Sequence, residues 1–440
     1  HLNYGIELNE NLTVNAKAYW NEYERAWTKF DGFISGTPAQ RVLASPSLYA
    51  AQYQVLSGDR DSNGLDSQTI DVTNNDREFT SFGLQGGISF AHQLGGIAQS
   101  LQIGARFHHD EVNREHRQRG YLMRGGRLVY DGVQRQNKVT NKGETDAVSV
   151  FISNDFYVGP ATVSIGARYE DIQGQLKNFL TSSKAENDQQ EWMPSISVFY
   201  ELTESVSLLA GVHKGISPSG PGATDVSAEE SVNYEFGGRF RSGEIFGEVI
   251  GFQSDYSNLL GRCRVSDFGC QPGEEFSGGE VEIQGIEVVA GFERSIGSNL
   301  DVDARLAYTY TQSEFEESFL STFSQFGIVE SGDELPYLPE NILSASIDFS
   351  FLPYSAGLTF KHTSEMREEP GSGSVSSGVH ADKQTYFDAH FRWDISQSTF
   401  TQVVIRNISD EREIVAHRPF GARPSLPRTL ILKIEHSLGN

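Results

Sequence analysis

The chain has 440 residues, and its 35 Lys+Arg against 59 Asp+Glu leave a formal net charge of −24. That balance excludes a nucleic-acid partner, which needs a basic footprint. Two cysteines exclude a disulfide-stapled scaffold, the lack of any run of about 18 apolar residues excludes a helical membrane span, and 11% aromatic residues exclude a disordered chain.

The N-terminus, His1-Leu2-Asn3-Tyr4, opens directly on alternating strand pattern without a leader. It is expected to be a cut inside a domain. From there period-2 alternation runs the whole length. In Ala161–Tyr169, Val163, Ile165, Ala167 and Tyr169 share one face. In Asp301–Thr311, Val302, Ala304, Leu306, Tyr308 and Tyr310 do so, and in Tyr386–Asp394, Phe387, Ala389, Phe391 and Trp393. The opposite faces carry Arg, Asp, Glu, His and small residues, as strands with one apolar and one wet side require. The expected strands cover 2–9, 12–27, 78–92, 99–111, 146–158, 161–173, 192–202, 204–215, 230–242, 244–258, 279–293, 299–313, 341–351, 354–365, 384–394, 398–408 and 427–438. A short helix is expected within 44–55, where Ala44, Leu48, Ala51 and Val55 fall at helical spacing.

Connections alternate between tight turns, such as Gly159-Pro160 and Leu352-Pro353, and long loops at 28–77, 112–145, 174–191, 216–229, 259–278, 314–340, 366–383 and 409–426. Segments of about 9–15 residues, short turns on one rim and long loops on the other define a transmembrane antiparallel β-barrel rather than a two-sheet sandwich. Aromatic residues near segment ends (Trp20, Tyr169, Tyr308, Tyr310, Trp393) suit an interfacial girdle.

Several stretches, in order, resemble the barrel of TonB-dependent outer-membrane receptors, in the group similar to ferric-citrate receptors. They are NNDREFTSFGLQ (74–85), GARFHHDEVNR (104–114), PSISVFYELTESVSLLAGVHKGISPSGPGA (194–223), EESVNYEFGGRFRSG (229–243), FQSDYSNLLGRC (252–263), SGGEVEIQGIEV (277–288), LPYLPEN (335–341) and RNISDEREIVAHRPFGARPSLPRTLILKIEHSL (406–438). The resemblance implies the outer membrane of a Gram-negative bacterium, uptake of a ferric chelate such as ferric citrate or another siderophore, and coupling to the TonB-ExbB-ExbD complex through a plug domain. It also implies contact with outer-membrane lipid and lipopolysaccharide. The family barrel has 22 strands, so residues 1–440 are expected to be its C-terminal part, with about 17 strands and no plug. The family's last strand usually ends in an aromatic residue, and Leu438 stands there instead. A plug-less porin-like channel, or a transporter of cobalamin or a sugar, is the alternative.

Candidate ligand residues cluster in an expected basic loop, with Arg114, Arg117, Arg119, Arg124, Arg127, Arg135 and Lys138 against only Glu115 and Asp131. Guanidinium forks bind carboxylates bidentately and hold their charge permanently, which suits a carboxylate-rich chelate. His213, at the head of a Gly/Pro-rich turn, and the late basic segment with His417, Arg418 and Arg423 are further candidates. His108-His109-Asp110-Glu111 offers four metal-ligating side chains, but neighbours in a strand point to opposite faces, so no metal site is assigned. Cys263 and Cys270 are expected to close a local disulfide in an oxidising compartment. No enzyme and no cofactor are expected. Nucleophile-elbow, phosphate-loop, dinucleotide and HExxH motifs are missing, and His213 with Ser217 lacks an acidic orienter.

Overall fold

The computed structural model describes residues 1–440 except 225, 263–274, 322–325, 376–377, 379, 418–420 and 439–440. Its principal sheet runs in chain order through β1 (Leu2–Asn9), β2 (Leu12–Phe33), β3 (Ile70–Leu94), β4 (Ile97–Arg124), the short flank β5 (Arg127–Tyr130), β6 (Val139–Val158), β7 (Ala161–Asn178), β8 (Ser183–Thr203) and β9 (Val206–Ser217). It continues through β10 (Glu229–Ser242), β11 (Ile245–Ser257), β12 (Val281–Ile296), β13 (Leu300–Phe315), β14 (Asn341–Phe351), β15 (Tyr354–Thr363), β16 (Gln384–Ser396), β17 (Thr399–Arg406) and β18 (Thr429–His436). Each strand pairs antiparallel with its neighbour, β4 pairing with both β5 and β6, which makes an 18-stranded meander. Without the flank β5, the 17 long strands match the 17 expected ones. Among the described residues β1 and β18 each have one unpaired edge.

Ladder register separates the two faces. Leu84 of β3 stands opposite Phe107 of β4, and Ile88 opposite Ile103, all on the apolar outer face. Outer-face aromatics form a belt eight to twelve residues from the short-turn ends of their strands. The Trp20 and Phe82 rings stack at 5.1 Å, Phe82 and His109 at 4.7 Å, and Tyr169 lies 4.9 Å from Trp192. Such a belt marks the upper membrane interface.

The strands overrun the expected boundaries on the long-loop side. β4 has 28 residues and β3 has 25, whereas about 9–11 suffice to cross a bilayer. Segments assigned to loops within 112–145 and 174–191 are therefore largely strand, and so are the two ends of 28–77 (28–33 and 70–77), because above the belt both faces are wet and the apolar alternation stops while the backbone ladder continues. The wall is correspondingly tall over β2–β8 and low over β14–β18.

The helix expected within 44–55 is found in part: α2 (Ala50–Ser57) covers its second half, residues 45–49 are not helical, and α1 (Ala39–Ala44) precedes the expected range. Val42 of α1 and Val55 of α2 pack with Phe33, Ile70 and Met123 into a small core on the outer face of the tall wall. Loops at the low side interlock. The Tyr337 amide donates to the Arg367 carbonyl (2.8 Å) and the Asp382 amide to the Ile414 carbonyl (2.8 Å).

Candidate functional site

Above the aromatic belt the inner face of β2–β4 carries a concentration of cations and rings. Odd-numbered residues of β2 face inward, so Lys17, Tyr19, Tyr23, Arg25, Trp27 and Lys29 climb one strip. The register sets Arg25 directly opposite Arg77 of β3, and Arg77 directly opposite Arg114 of β4. One rung below lie Tyr23, Phe79 and Val112; one rung above lie Trp27, Asn75 and His116. Tyr23 and Trp27 remain 59% and 57% exposed on this inner face. The Arg25 guanidinium sits 6.0 Å from the centre of the Phe79 ring, which is 5.9 Å from Tyr23.

His116 is 3% exposed, and neither ring nitrogen has a hydrogen-bond partner among the described residues. It lies seven residues beyond His109 of the belt, outside the membrane-spanning part of β4. Burial, then the charges of Arg77, Arg114 and Lys29, push its pKa down to about 4. The strip is closed at the top by Lys138, whose Nζ lies 2.9 Å from Asp31 and 2.5 Å from Asp71. Burial by itself would lower the Lys138 ammonium, but the two carboxylates outweigh it and hold it above the usual lysine range. Below, Arg106 Nη2 donates to the Tyr19 hydroxyl (3.0 Å), which also contacts His108 Nδ1.

The neighbouring wall is lined by an inward-folded loop, residues 218–224. Asn187 Nδ2 donates to Ser219 Oγ (3.4 Å) and to the Gly220 carbonyl (3.2 Å), and the Gly222 amide donates to Asn187 Oδ1 (2.8 Å). The Ser219 amide donates to Gln189 Oε1 (3.0 Å). Pro221 lies over two glycines of the wall, where a Cβ on Gly143 would come within 3.2 Å of its ring and one on Gly174 within 2.9 Å of its Cα. This is the constrained Gly/Pro turn that follows His213, which itself stands exposed on the inner face opposite Ser195 and Asn233.

The expected basic loop is not one loop and does not converge on one point. Arg114, Arg117, Arg119 and Arg124 lie on β4, and Arg127 on β5. Strand alternation sends Arg114 inward, where it donates to Asn141 Oδ1 (3.2 Å), and Arg117 outward to Glu115 (2.8 Å). Arg124 donates to the Ser62 carbonyl and ties the helical segment to the wall. Arg135 makes a two-pronged pair with Asp131, at 3.1 and 2.6 Å. Arg119, Arg127 and Arg423 are exposed, with no ion pair among the described residues. His417 is held by Glu368, whose Oε1 accepts from its amide (2.7 Å) and whose Oε2 lies 2.9 Å from Nδ1. Arg418, Cys263 and Cys270 lie outside the described residues.

His108-His109-Asp110-Glu111 alternates as expected. His108 Nε2 reaches Asp110 (2.6 Å) inside, while His109 reaches Asp146 (2.8 Å) outside. No cluster of metal-ligating side chains is found among the described residues. The arginine row escaped the sequence reading because Arg25, Arg77 and Arg114 are far apart in the chain. The alternation of Lys17, Tyr19, Tyr23, Arg25, Trp27 and Lys29 within β2 was the available signal.

Tall antiparallel wall, outer aromatic belt and polar inner face together define an outer-membrane β-barrel. Residues 1–408 match the model of the TonB dependent receptor-like, beta-barrel family, and the chain belongs to that family. Its location is the outer membrane of a Gram-negative bacterium. Among solved structures it is similar to the ferric citrate transporter FecA in the unliganded form, with TM-score 0.73, 16% identity, and coverage of 99% of this chain and 60% of that one. It is also similar to the siderophore receptor PiuA from Acinetobacter baumannii (TM-score 0.74, 14% identity, 99% and 63%) and to the copper transporter OprC (0.67, 12%, 99% and 65%). The chain thus spans about 60% of the length of such relatives.

Proposed function

We propose that residues 1–440 form the C-terminal part of the barrel of a TonB-dependent uptake receptor for a ferric chelate. The observation that carries this reading is the concentration of cations on the inner wall of a family barrel whose net charge is −24. An inward-facing row of guanidiniums in an otherwise acidic protein suits an anionic cargo. The ferric-citrate and siderophore receptors among its structural relatives agree with it. His213 stands exposed on the inner wall, on the path of a ligand arriving from the long-loop side, whereas Arg119 shares the outward face of β4 with Arg117. In this reading the partners are the chelate, the TonB-ExbB-ExbD complex acting through a plug domain, and the surrounding lipid and lipopolysaccharide.

The copper transporter at comparable likeness supports a second reading, in which the same barrel serves another nutrient. Uptake of radioactive iron by cells carrying or lacking the gene, each with and without a functional TonB, tests the proposal. Uptake of a ferric chelate that needs both genes is the expected result. Uptake that persists without TonB would point to a porin-like channel, and no iron uptake at all would favour the second reading.

A further inference from the structure

We infer that residues 131–138 form a strap on the inner wall that acid releases, with His116 as the group whose protonation lifts it. The inference goes beyond the uptake reading and holds whatever the cargo.

The strap is defined by its attachments. It leaves β5 at Tyr130, opposite Tyr121 of β4, and rejoins the ladder at Val139, opposite His116. Between these points the backbone is neither helix nor strand. It passes the inner face of β4 at Gly120, where the absence of a Cβ makes room for Asp131 and Arg135. Two backbone hydrogen bonds fasten its ends. The Asp131 amide donates to the Gly120 carbonyl (3.0 Å), and the Lys138 amide donates to the carbonyl of His116 itself (2.8 Å). The Lys138 ammonium then ties the strap across the wall to Asp31 of β2 and Asp71 of β3.

His116 sits at the foot of this strap. Its ring is buried with both nitrogens unpartnered among the described residues, and Asn75, directly opposite, is equally buried with Oδ1 unpartnered. A neutral ring can be kept there at modest cost, whereas an imidazolium carries two N–H donors and a charge that need acceptors. The groups that face it are mostly cationic. β2 presents Lys29 and Asp31, β3 presents Arg77 and Asp71, β4 presents Arg114, and the strap presents Lys138. From β6, Val139 and Asn141 add no charge. Asp31 favours the charged ring, but its carboxylate is already shared by Lys29 and Lys138.

Protonation of His116 therefore adds a cation where cations already crowd. Lys29, Arg77 and Arg114 are fixed on paired strands, whereas Lys138 stands on a segment without ladder partners. Lys138 is the cation that can leave. Its departure frees Asp31 for the imidazolium, lets water reach the ring and takes the strap off the wall, while Asp71 keeps the hydrogen bond from Gln118 Nε2 (2.7 Å). The closed form holds the ring at a pKa of about 4, against 6.5 for a histidine in water. The closed strap is thus favoured at neutral pH. Below pH 6.5 the balance moves toward the open strap by about tenfold per pH unit.

Amide hydrogen exchange of the complete receptor in detergent, corrected for the intrinsic effect of pH, tests the inference. Protection of 132–138 is expected to fall about tenfold per pH unit between pH 6.5 and 4.5, while the β4–β6 ladder below His116 keeps its protection. His116→Phe, which keeps a ring but cannot titrate, should hold the strap closed over the same range. Lys138→Met should open it already at pH 7. Slow exchange of the His116 C2 hydrogen, read on the wild type by mass spectrometry, follows the ring directly and needs no variant. Protection that stays level in the wild type, or that falls equally in His116→Phe, would overturn the inference, the latter placing the trigger on the carboxylates. So would a ring that titrates without any change in strap protection, or a strap that Lys138→Met leaves closed.

Discussion

At the top of the inner wall Lys138 bridges two carboxylates that are almost out of water, Asp31 and Asp71, and Lys29 pairs with Asp31 as well (2.9 Å). Removing one partner from a buried ionic group leaves uncompensated charge and costs about 3–5 kcal/mol. Lys138→Met is therefore expected to lower stability by several kcal/mol in urea unfolding of the detergent-solubilised receptor. His116 supplies a pH dependence of definite sign. Its folded pKa of about 4 lies below the ordinary histidine value of 6.5, so the neutral ring is favoured in the fold. The stability it contributes is fully present above pH 6.5 and is lost as the pH falls toward 4, by about 3 kcal/mol in all. Unfolding midpoints recorded between pH 7 and 4 should fall steeply for the wild type and less for His116→Leu.

Gly120 shows how a missing side chain can hold an element in place. A Cβ there would overlap Asp131 and the Arg135 guanidinium, so only glycine lets the paired loop side chains lie against β4. Burial by itself would raise the Asp131 carboxyl, but hydrogen bonds from Arg135 and from the Val133 amide outweigh it and hold it below the usual aspartate range. This pair therefore stabilises the loop at neutral pH and is lost as the pH falls through the lowered carboxyl pKa.

Among elements, the 218–224 loop is the most clearly positioned. Three hydrogen bonds converge on the amide of Asn187, and net contributions of about 0.5–1.5 kcal/mol each make that residue its principal anchor. Asn187→Ala should raise amide hydrogen exchange across 218–224 severalfold and leave β7 and β8 protected. Unchanged exchange would mean that the Pro221 seat over Gly143 and Gly174 holds the loop without the amide.

At the scale of residues 1–440, the decisive feature is that β1 and β18 each have one unpaired edge among the described residues. Unsatisfied backbone groups cost several kcal/mol each in lipid. Residues 1–440 expressed alone are expected not to yield the closed, heat-modifiable monomer that barrels show on unboiled gels, whereas the full receptor should. A heat-modifiable band from residues 1–440 would show that the two edges can meet.

Period-2 alternation by itself determined the strand count, the order of short turns and long loops, and which side chains face lipid, because burial in lipid imposes that period directly on the residues. It also determined that His108 and His109 part to opposite faces. The tertiary structure decided the rest. Strand continues past the membrane in β2–β4 because ladder hydrogen bonds need no apolar pattern, so residues such as Arg117 and Arg119 read as loop when they are wall. The arginine row exists only through register, which brings positions 25, 77 and 114 to one rung. Register depends on the pairing of whole strands and not on the local sequence around any of the three.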